Sequence, residues 1–218
     1  MSRRIAFFDI DGTITRHSSE RLFIRYLLQK KIISYSDLVL ATLRYSCKHP
    51  TYLKNGFKQN KMYLCGLDAE MIRQHASQCF DEYIRPSIKP IMTEALVMCR
   101  KDGYTIVLLS GSLRCLAEPM QRFMQAEDLI CSETEIVNNR YTGEMTSLHP
   151  YGENKKILAI RYCLDHQIAM VSCRAYANEW ADRFLMEAVG EAVAVDPDEN
   201  LERLARIKKW KQINIYHG

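Results

Sequence analysis

Ile5-Ala6-Phe7-Phe8-Asp9-Ile10-Asp11-Gly12-Thr13 is an apolar run that breaks into two aspartates and a turn. Read as a strand, it carries Asp9 and Asp11 at its carboxyl end. Side chains alternate faces along a strand, so these two carboxylates can point the same way. Open α/β sheets bind ligands beyond the carboxyl ends of their strands. Paired carboxylates repel unless something positive stands between them, and a hard cation such as Mg²⁺ suits oxygen donors. Asp-Gly is also a plain turn that merely ends a strand. The rest of the chain has to decide between the two readings.

Working outward, residues 4–9 read as the strand and residues 18–88 as mostly helical. Leu22, Phe23, Tyr26 and Leu27 keep helical spacing, as do Leu38, Ala41, Thr42 and Tyr45. Further helical patterns follow at 57–65 and 69–84, with breaks at Pro50, Gly56 and Gly66. Pro90 opens a helix over 90–101 whose buried face would be Ile91, Ala95 and Met98. Tyr104-Thr105-Ile106-Val107-Leu108-Leu109-Ser110 is the near-continuous apolar run of a strand buried on both faces. Helix and strand then alternate: 113–125 with 128–132, 153–166 with 170–176, and 179–189 with 192–195. Between them 135–145 reads as a hairpin turning at Asn138-Asn139. This alternation predicts an α/β fold, a Rossmann-like doubly wound parallel sheet with an inserted helical cap. Residues 1–15 and 89–218 would form the core and 16–88 the cap, an insertion at the mouth of the site.

A chain of 218 residues and 25.4 kDa accommodates one large domain or a core with a smaller insert. No apolar stretch reaches the roughly 18 residues of a transmembrane helix, and Met1-Ser2-Arg3-Arg4 opens no signal peptide. A cytoplasmic protein is the expectation. The eight cysteines are scattered without a Cys-x-x-Cys pair, which predicts free core thiols rather than a zinc site. The charge of +4 is unevenly spread: residues 16–62 hold ten basic side chains against two acidic ones. That excess is either a solvated helical surface or an attraction for anionic substrates and anionic membrane surfaces. No nucleic-acid motif accompanies it.

Four features fall at strand ends or helix starts. Asp9 and Asp11 end the first strand. Ser110-Gly111-Ser112 ends the second long one and leads into a helix, whose backbone N–H groups can hold a phosphate. Lys155 begins a helix and offers a point charge. Asn178 and Asp182 follow a later strand and can approach a metal. Each of the last three is unremarkable alone: a loop, a surface lysine, a pair of caps. A nicotinamide-dependent oxidoreductase is poorly matched, because the first strand ends in Asp-x-Asp rather than Gly-x-Gly-x-x-Gly.

The ordered set resembles the haloacid dehalogenase superfamily, most closely its phosphoserine-phosphatase-like subfamily IB. The motifs that carry the resemblance are Phe-Phe-Asp-Ile-Asp-Gly-Thr at 7–13, Leu-Leu-Ser-Gly-Ser at 108–112, Gly-Glu-Asn-Lys at 152–155 and Ala-Tyr-Ala-Asn-Glu-Trp-Ala-Asp at 175–182. The resemblance implies a Mg²⁺-dependent phosphatase acting on a small phosphorylated metabolite. Asp9 would be the nucleophile that becomes an aspartyl-phosphate. Asp11 would be the general acid, then the base. Gly12, Ser110, Gly111 and Lys155 would hold the phosphate. Mg²⁺ would be bound by Asp9, the backbone carbonyl of Asp11 and Asn178, with Asp182 orienting the shell.

Relatives of this group usually carry aspartate where this chain has Asn178, an oxygen donor without the charge that hard cations prefer. That leaves three outcomes: weaker metal binding, substitution by Glu179 or Asp182, or a protein that binds phosphate compounds without turnover. Among relatives a glutamate early in the cap reads the substrate amine; here Ser18 stands at the nearest spacing and Glu20 two residues later. Phosphoserine as substrate is therefore unsupported. The basic cap also suits weak contact with a membrane surface and a lipid head-group phosphate. His17 and His149 are placed near the cleft or at the surface, and Trp180 and Phe184 in the core. Oligomeric state is not legible.

Overall fold

The structure, a computed structural model, describes residues 4–49 and 59–215. In chain order the elements are β1 (Arg4–Phe8), α1 (Ser19–Gln29), α2 (Tyr35–Lys48), α3 (Ala69–Cys79), α4 (Pro90–Lys101), β2 (Tyr104–Leu113), α5 (Arg114–Met124) and β3 (Asp128–Ser132). They continue with β4 (Thr134–Val137), β5 (Arg140–Met145), α6 (Glu153–Asp165), β6 (Arg174–Ala177), α7 (Arg183–Met186), β7 (Glu191–Val195), α8 (Glu199–Lys208) and β8 (Lys211–Ile213).

Six parallel strands form one sheet in the order β3-β2-β1-β6-β7-β8. The first three strands build outward from β1 in one direction and the later three in the other. The order reverses beside β1, and the crevice beyond its carboxyl end is where such sheets place a ligand. β1 is apolar throughout because both its faces are covered. Ala6 and Phe8 join the cluster that holds Leu96, Ile106 and Met120, while Ile5 and Phe7 join Ala159, Cys163 and Leu185 on the opposite face. Alternation along five residues thus supplies two hydrophobic layers at once.

The chain between β1 and α4 is helical where described. Ser18 caps α1, and Ser34 with Asp37 forms a capping box on α2. Phe23, Tyr26 and Leu27 bury one stripe of α1 in the same cluster as Phe8 and Ile106. The helical segment and the sheet therefore share one core. The two connections to this segment also bond to each other. Arg16 donates its backbone N–H to Ser87 at 2.8 Å, Lys89 donates to Ile14 at 2.9 Å, and Thr15 pairs antiparallel with Ile88.

The expected hairpin at 135–145 is present as β4 and β5, with Asn138 and Asn139 at φ 49° and 60°. That left-handed pair is what a two-residue hairpin turn requires. Its far strand leans on the helical segment, where Gly66 donates to the Tyr141 carbonyl at 2.8 Å and Tyr141 to the Leu67 carbonyl at 3.0 Å.

Four sequence readings need correction. The buried stripe of α4 is Met92, Leu96 and Cys99, whereas Ile91 and Met98 are 40% and 53% exposed. Both stripes keep the 3.6 period, so periodicity alone cannot choose between them. The helix expected over 179–189 is a single 3₁₀ turn at Trp180–Asp182 followed by α7. Trp180 is 38% exposed, under the Arg183 guanidinium at 4.4 Å. Finally, α8 and β8 extend the sheet beyond the last strand that the pattern revealed. The expected pattern at 57–65 lies partly outside the described residues, and its described part is a 3₁₀ turn at Met62–Leu64; Pro50 and Gly56 lie outside them too.

All eight cysteines are free, six of them buried. Burial pushes the Cys79, Cys115 and Cys131 thiols up to about 12, so they stay protonated and inert.

Candidate active site

The carboxyl ends of β1, β2 and β6 and the start of α6 converge on a cavity of about 520 Å³, roofed by α1, α2 and the turn at Tyr63. Asp9, Asp11, Gly12, Ser110, Gly111, Lys155, Asn178 and Asp182 all line it. The four sequence features, spread over more than 170 positions, meet in one place.

Asp9 is buried at the end of β1. Lys155 Nζ donates to Asp9 Oδ1 at 2.8 Å and to Asp182 Oδ1 at 2.7 Å, so one lysine bridges two carboxylates. All three side chains are nearly inaccessible. Burial raises the Asp9 carboxyl; Lys155 opposes this and Asp182 adds to it, leaving Asp9 pushed up to about 7. For Lys155 burial pulls downward, but Asp182 and Asp9 together outweigh it and hold the ammonium above the ordinary lysine range.

Asp11 sits two residues on. The Ser19 backbone N–H donates to its Oδ1 at 2.9 Å and the Ser112 hydroxyl to its Oδ2 at 3.1 Å. Burial raises its pKa more than these donors lower it. A carboxyl whose protonated form is favoured by burial can give a proton to a leaving oxygen. The serine hydroxyls form a chain: Ser110 to Ser112 at 3.0 Å, and Ser112 to Ser19 at 3.1 Å. The last link ties the strand end to the first turn of α1.

Thr13 donates from one hydroxyl to two oxygens, Asp9 Oδ2 at 3.2 Å and Asn178 Oδ1 at 3.0 Å. A hydroxyl has a single proton and can satisfy only one of them at a time. Two oxygen acceptors from β1 and β6 therefore converge on one point with less than one donor each. Both are hard oxygen donors of the kind a cation such as Mg²⁺ takes. Asp182 is engaged differently: its Oδ1 bonds Lys155, and its Oδ2 accepts the Glu179 N–H at 3.3 Å.

Gly12 makes the turn after Asp11 at φ +82°, and a Cβ built there would lie 2.3 Å from Asn178 Nδ2. Both the backbone conformation and the close approach need glycine. Gly12→Ala is expected to lower stability by about 1–3 kcal/mol and to displace Asn178. Urea unfolding reads the first effect, and a loss within roughly 0.3 kcal/mol would refute the strain.

Lys89 escaped the sequence reading, while His149 and Glu20 were noted there without their partners. Lys89 is fully buried and donates to the Gly12 carbonyl at 2.6 Å and to Asp196 Oδ2 at 2.7 Å, fixing the turn. No local pattern marks a lysine 77 residues from its acceptor. His149 lines the cavity with its Nδ1 2.8 Å from the Ser132 hydroxyl, and its ring packs where a Cβ on Gly111 would come within 3.0 Å. Glu20 accepts from Lys61 Nζ at 2.6 and 2.7 Å and from the Tyr63 hydroxyl at 2.8 Å. His17 is exposed.

Comparison with known proteins gives a family match and shared folds. The family model described as haloacid dehalogenase-like hydrolase matches residues 6–187. The phosphoserine phosphatase SerB1 of Mycobacterium tuberculosis is 25% identical over 94% of this chain and 69% of its own length. The histidinol-phosphatase of Neisseria meningitidis is 22% identical over 98% and 99% respectively. Among solved structures, a Bordetella pertussis protein of unknown function superposes at TM-score 0.86 with 19% identity, covering 99% of this chain and 100% of its own. A substrate-bound phosphoserine phosphatase does so at 0.67 with 14% identity, covering 98% and 93%.

Proposed function

We propose that this chain, which belongs to the haloacid dehalogenase-like hydrolases, is a phosphatase that cleaves a small phosphomonoester through a phosphoryl group carried on Asp9. The observation that carries this reading is the buried Asp9 carboxylate at the cavity floor, bonded by Lys155 and Thr13, with Asp11 two residues further on the same rim.

In the first step an Asp9 carboxylate oxygen attacks phosphorus and the bond to the leaving oxygen breaks. Asp11 gives its proton to that oxygen, so the product leaves as an alcohol rather than an alkoxide. In the second step Asp11, now a carboxylate, takes a proton from water as the water attacks the acyl phosphate. Inorganic phosphate departs and Asp9 is restored. Splitting one hard displacement into two is the advantage of a covalent route. Lys155, already oriented by Asp182, stands where charge on the phosphoryl oxygens must be offset. The Ser110 hydroxyl and the N–H groups around Gly111 and Gly12 border the same space. Asp9, the Asp11 carbonyl and Asn178 would hold Mg²⁺, which when bound draws charge from the phosphoryl oxygens. His149, seated against Gly111, keeps that turn in place.

Asn178 supplies a neutral oxygen where a carboxylate would bind the cation more strongly. It favours a second reading, a protein that binds phosphate compounds without turnover. One experiment separates the two: release of inorganic phosphate from a panel of phosphomonoesters, with Mg²⁺ titrated and then removed by chelation. The phosphatase reading expects turnover that needs Mg²⁺. Asn178→Asp is expected to lower the Mg²⁺ concentration for half-maximal rate by about tenfold or more, the scale on which ligand-shell changes act. Wild-type silence at all Mg²⁺ concentrations, relieved by Asn178→Asp, would favour the binding reading.

A further inference from the structure

The upper half of the cavity selects a substrate class. Its acidic residue, Glu20, projects from the first turn of α1, and both its oxygens are taken. Lys61, whose side chain is fully buried, donates to both, and Tyr63 adds a hydroxyl. The other carboxylates on the lining are engaged as well. Asp9 and Asp182 share Lys155, Asp11 accepts from Ser19 and Ser112, and Glu179 accepts the Asp182 N–H in a capping box. Among the described residues, an ammonium group entering this cavity meets no carboxylate awaiting a donor.

One cation is without a carboxylate partner among the described residues. Arg21 lines the rim one residue after Glu20. Its backbone N–H is bonded to Ser18, but among the described residues no carboxylate pairs with its guanidinium. The fork of an arginine suits a carboxylate or a phosphate in two-point contact. The same lining carries hydrocarbon from Ile24, one turn on along α1, and from Leu38 and Ala41 of α2, beside the polar Thr42, Asn60 and Tyr63. Positive charge at the rim, an apolar wall and a neutralised acid describe the group they would fit.

We propose that the leaving alcohol carries a second acidic group, carboxylate or phosphate, on a short apolar body, and no ammonium. The phosphoryl group sits at Asp9 and the second acid on Arg21. This rests on the phosphatase reading for the phosphoryl end. It also goes against expecting an amino-acid phosphate, because zwitterions bring an ammonium that Glu20 is already committed against.

The test compares kcat/KM for 3-phosphoglycerate, glycerol 1,3-bisphosphate, glycerol 3-phosphate, O-phosphoserine and O-phosphoethanolamine. The two doubly acidic esters are expected to exceed glycerol 3-phosphate by about tenfold, the effect of one well-placed ion pair, with the difference in KM. The two ammonium esters are expected to fall below it. Their relative rates also tell whether the second acid is a carboxylate or a phosphate. Arg21 is exposed, so its variants should fold. In Arg21→Gln the ratio of acidic to neutral ester is expected to drop to near one, and in Arg21→Glu to invert in favour of O-phosphoethanolamine. Ammonium esters turned over as well as the acidic ones, or a ratio unmoved in Arg21→Gln, would overturn the inference. Calorimetric binding of the same esters to Asp9→Asn protein covers the case of no turnover. A preference for the acidic pair in binding alone would uphold the role of Arg21 while the phosphatase reading fails. Turnover without preference would leave the phosphatase reading standing and sink this one.

Discussion

Asp9→Asn is expected to abolish phosphate release and, with metal withheld by chelation, to raise the melting temperature at pH 8. Loss of a covalent nucleophile lowers turnover by at least about four orders of magnitude. The stability gain follows from the carboxyl's raised pKa. Asp9 ionises near 3.8 in an unfolded chain and near 7 in the fold, because burial disfavours its charge more than Lys155 favours it. Between those values the native state holds a proton that the unfolded chain has released. Stability therefore falls as pH rises through that window and stays lower above it. Asparagine has no charge to bury, and Lys155 keeps Asp182 as a partner. The melting curves of variant and wild type should nearly coincide at pH 4 and separate as pH climbs towards 8. A variant equally or less stable at pH 8 would mean that the Lys155 bond outweighs the burial of the charge.

Lys155→Met has the opposite sign and a comparable size. It leaves Asp9 and Asp182 buried without their shared cation. Removing one partner of a buried ion pair costs about 3–5 kcal/mol, since the survivor stays desolvated. Here two buried carboxylates survive without a cation between them. Asp9 can escape by taking up a proton, so the loss should be largest near pH 8 and smaller near pH 5. Urea unfolding at the two pH values measures it, and phosphate release should be lost at both. Adding Asp9→Asn should recover part of the stability, because only one buried carboxylate then remains. A loss of similar size at both pH values would show that the methionine fails through packing rather than through charge.

The floor of the cavity was legible because it is written locally. Asp9 and Asp11 lie two apart on one strand, Ser110 ends another, and Lys155 opens a helix. Each is a residue type at a junction that the apolar pattern exposes, and the parallel sheet brings those junctions to one edge. The alternation of helices and strands likewise foretold the parallel α/β sheet of the core. What stayed hidden depends on contacts between distant positions. Lys89 reads as a residue before a proline, yet it holds the carbonyl of Gly12. Lys61 reads as one more cation in a basic stretch, yet it is buried against Glu20, which removes that acid from substrate reading. The basic excess of residues 16–62 thus mixed a buried structural lysine with an available arginine, and composition does not separate them. On α4 two apolar stripes compete, and only the packed sheet decides which turns inward. The last strand, β8, is three residues long, too short to stand out by alternation.

The paired connections at residues 14–16 and 87–89 have a mechanical consequence. Two separate tethers would let the helical segment swivel in any direction. Tethers bonded to one another behave as a strap, stiff against twist and sideways shear and compliant mainly about the axis across its width. Arg21 and Glu20 ride on the part that this strap carries, while Asp9 and Lys155 stand on the sheet. Any swing of one against the other would be confined by that strap to a single arc.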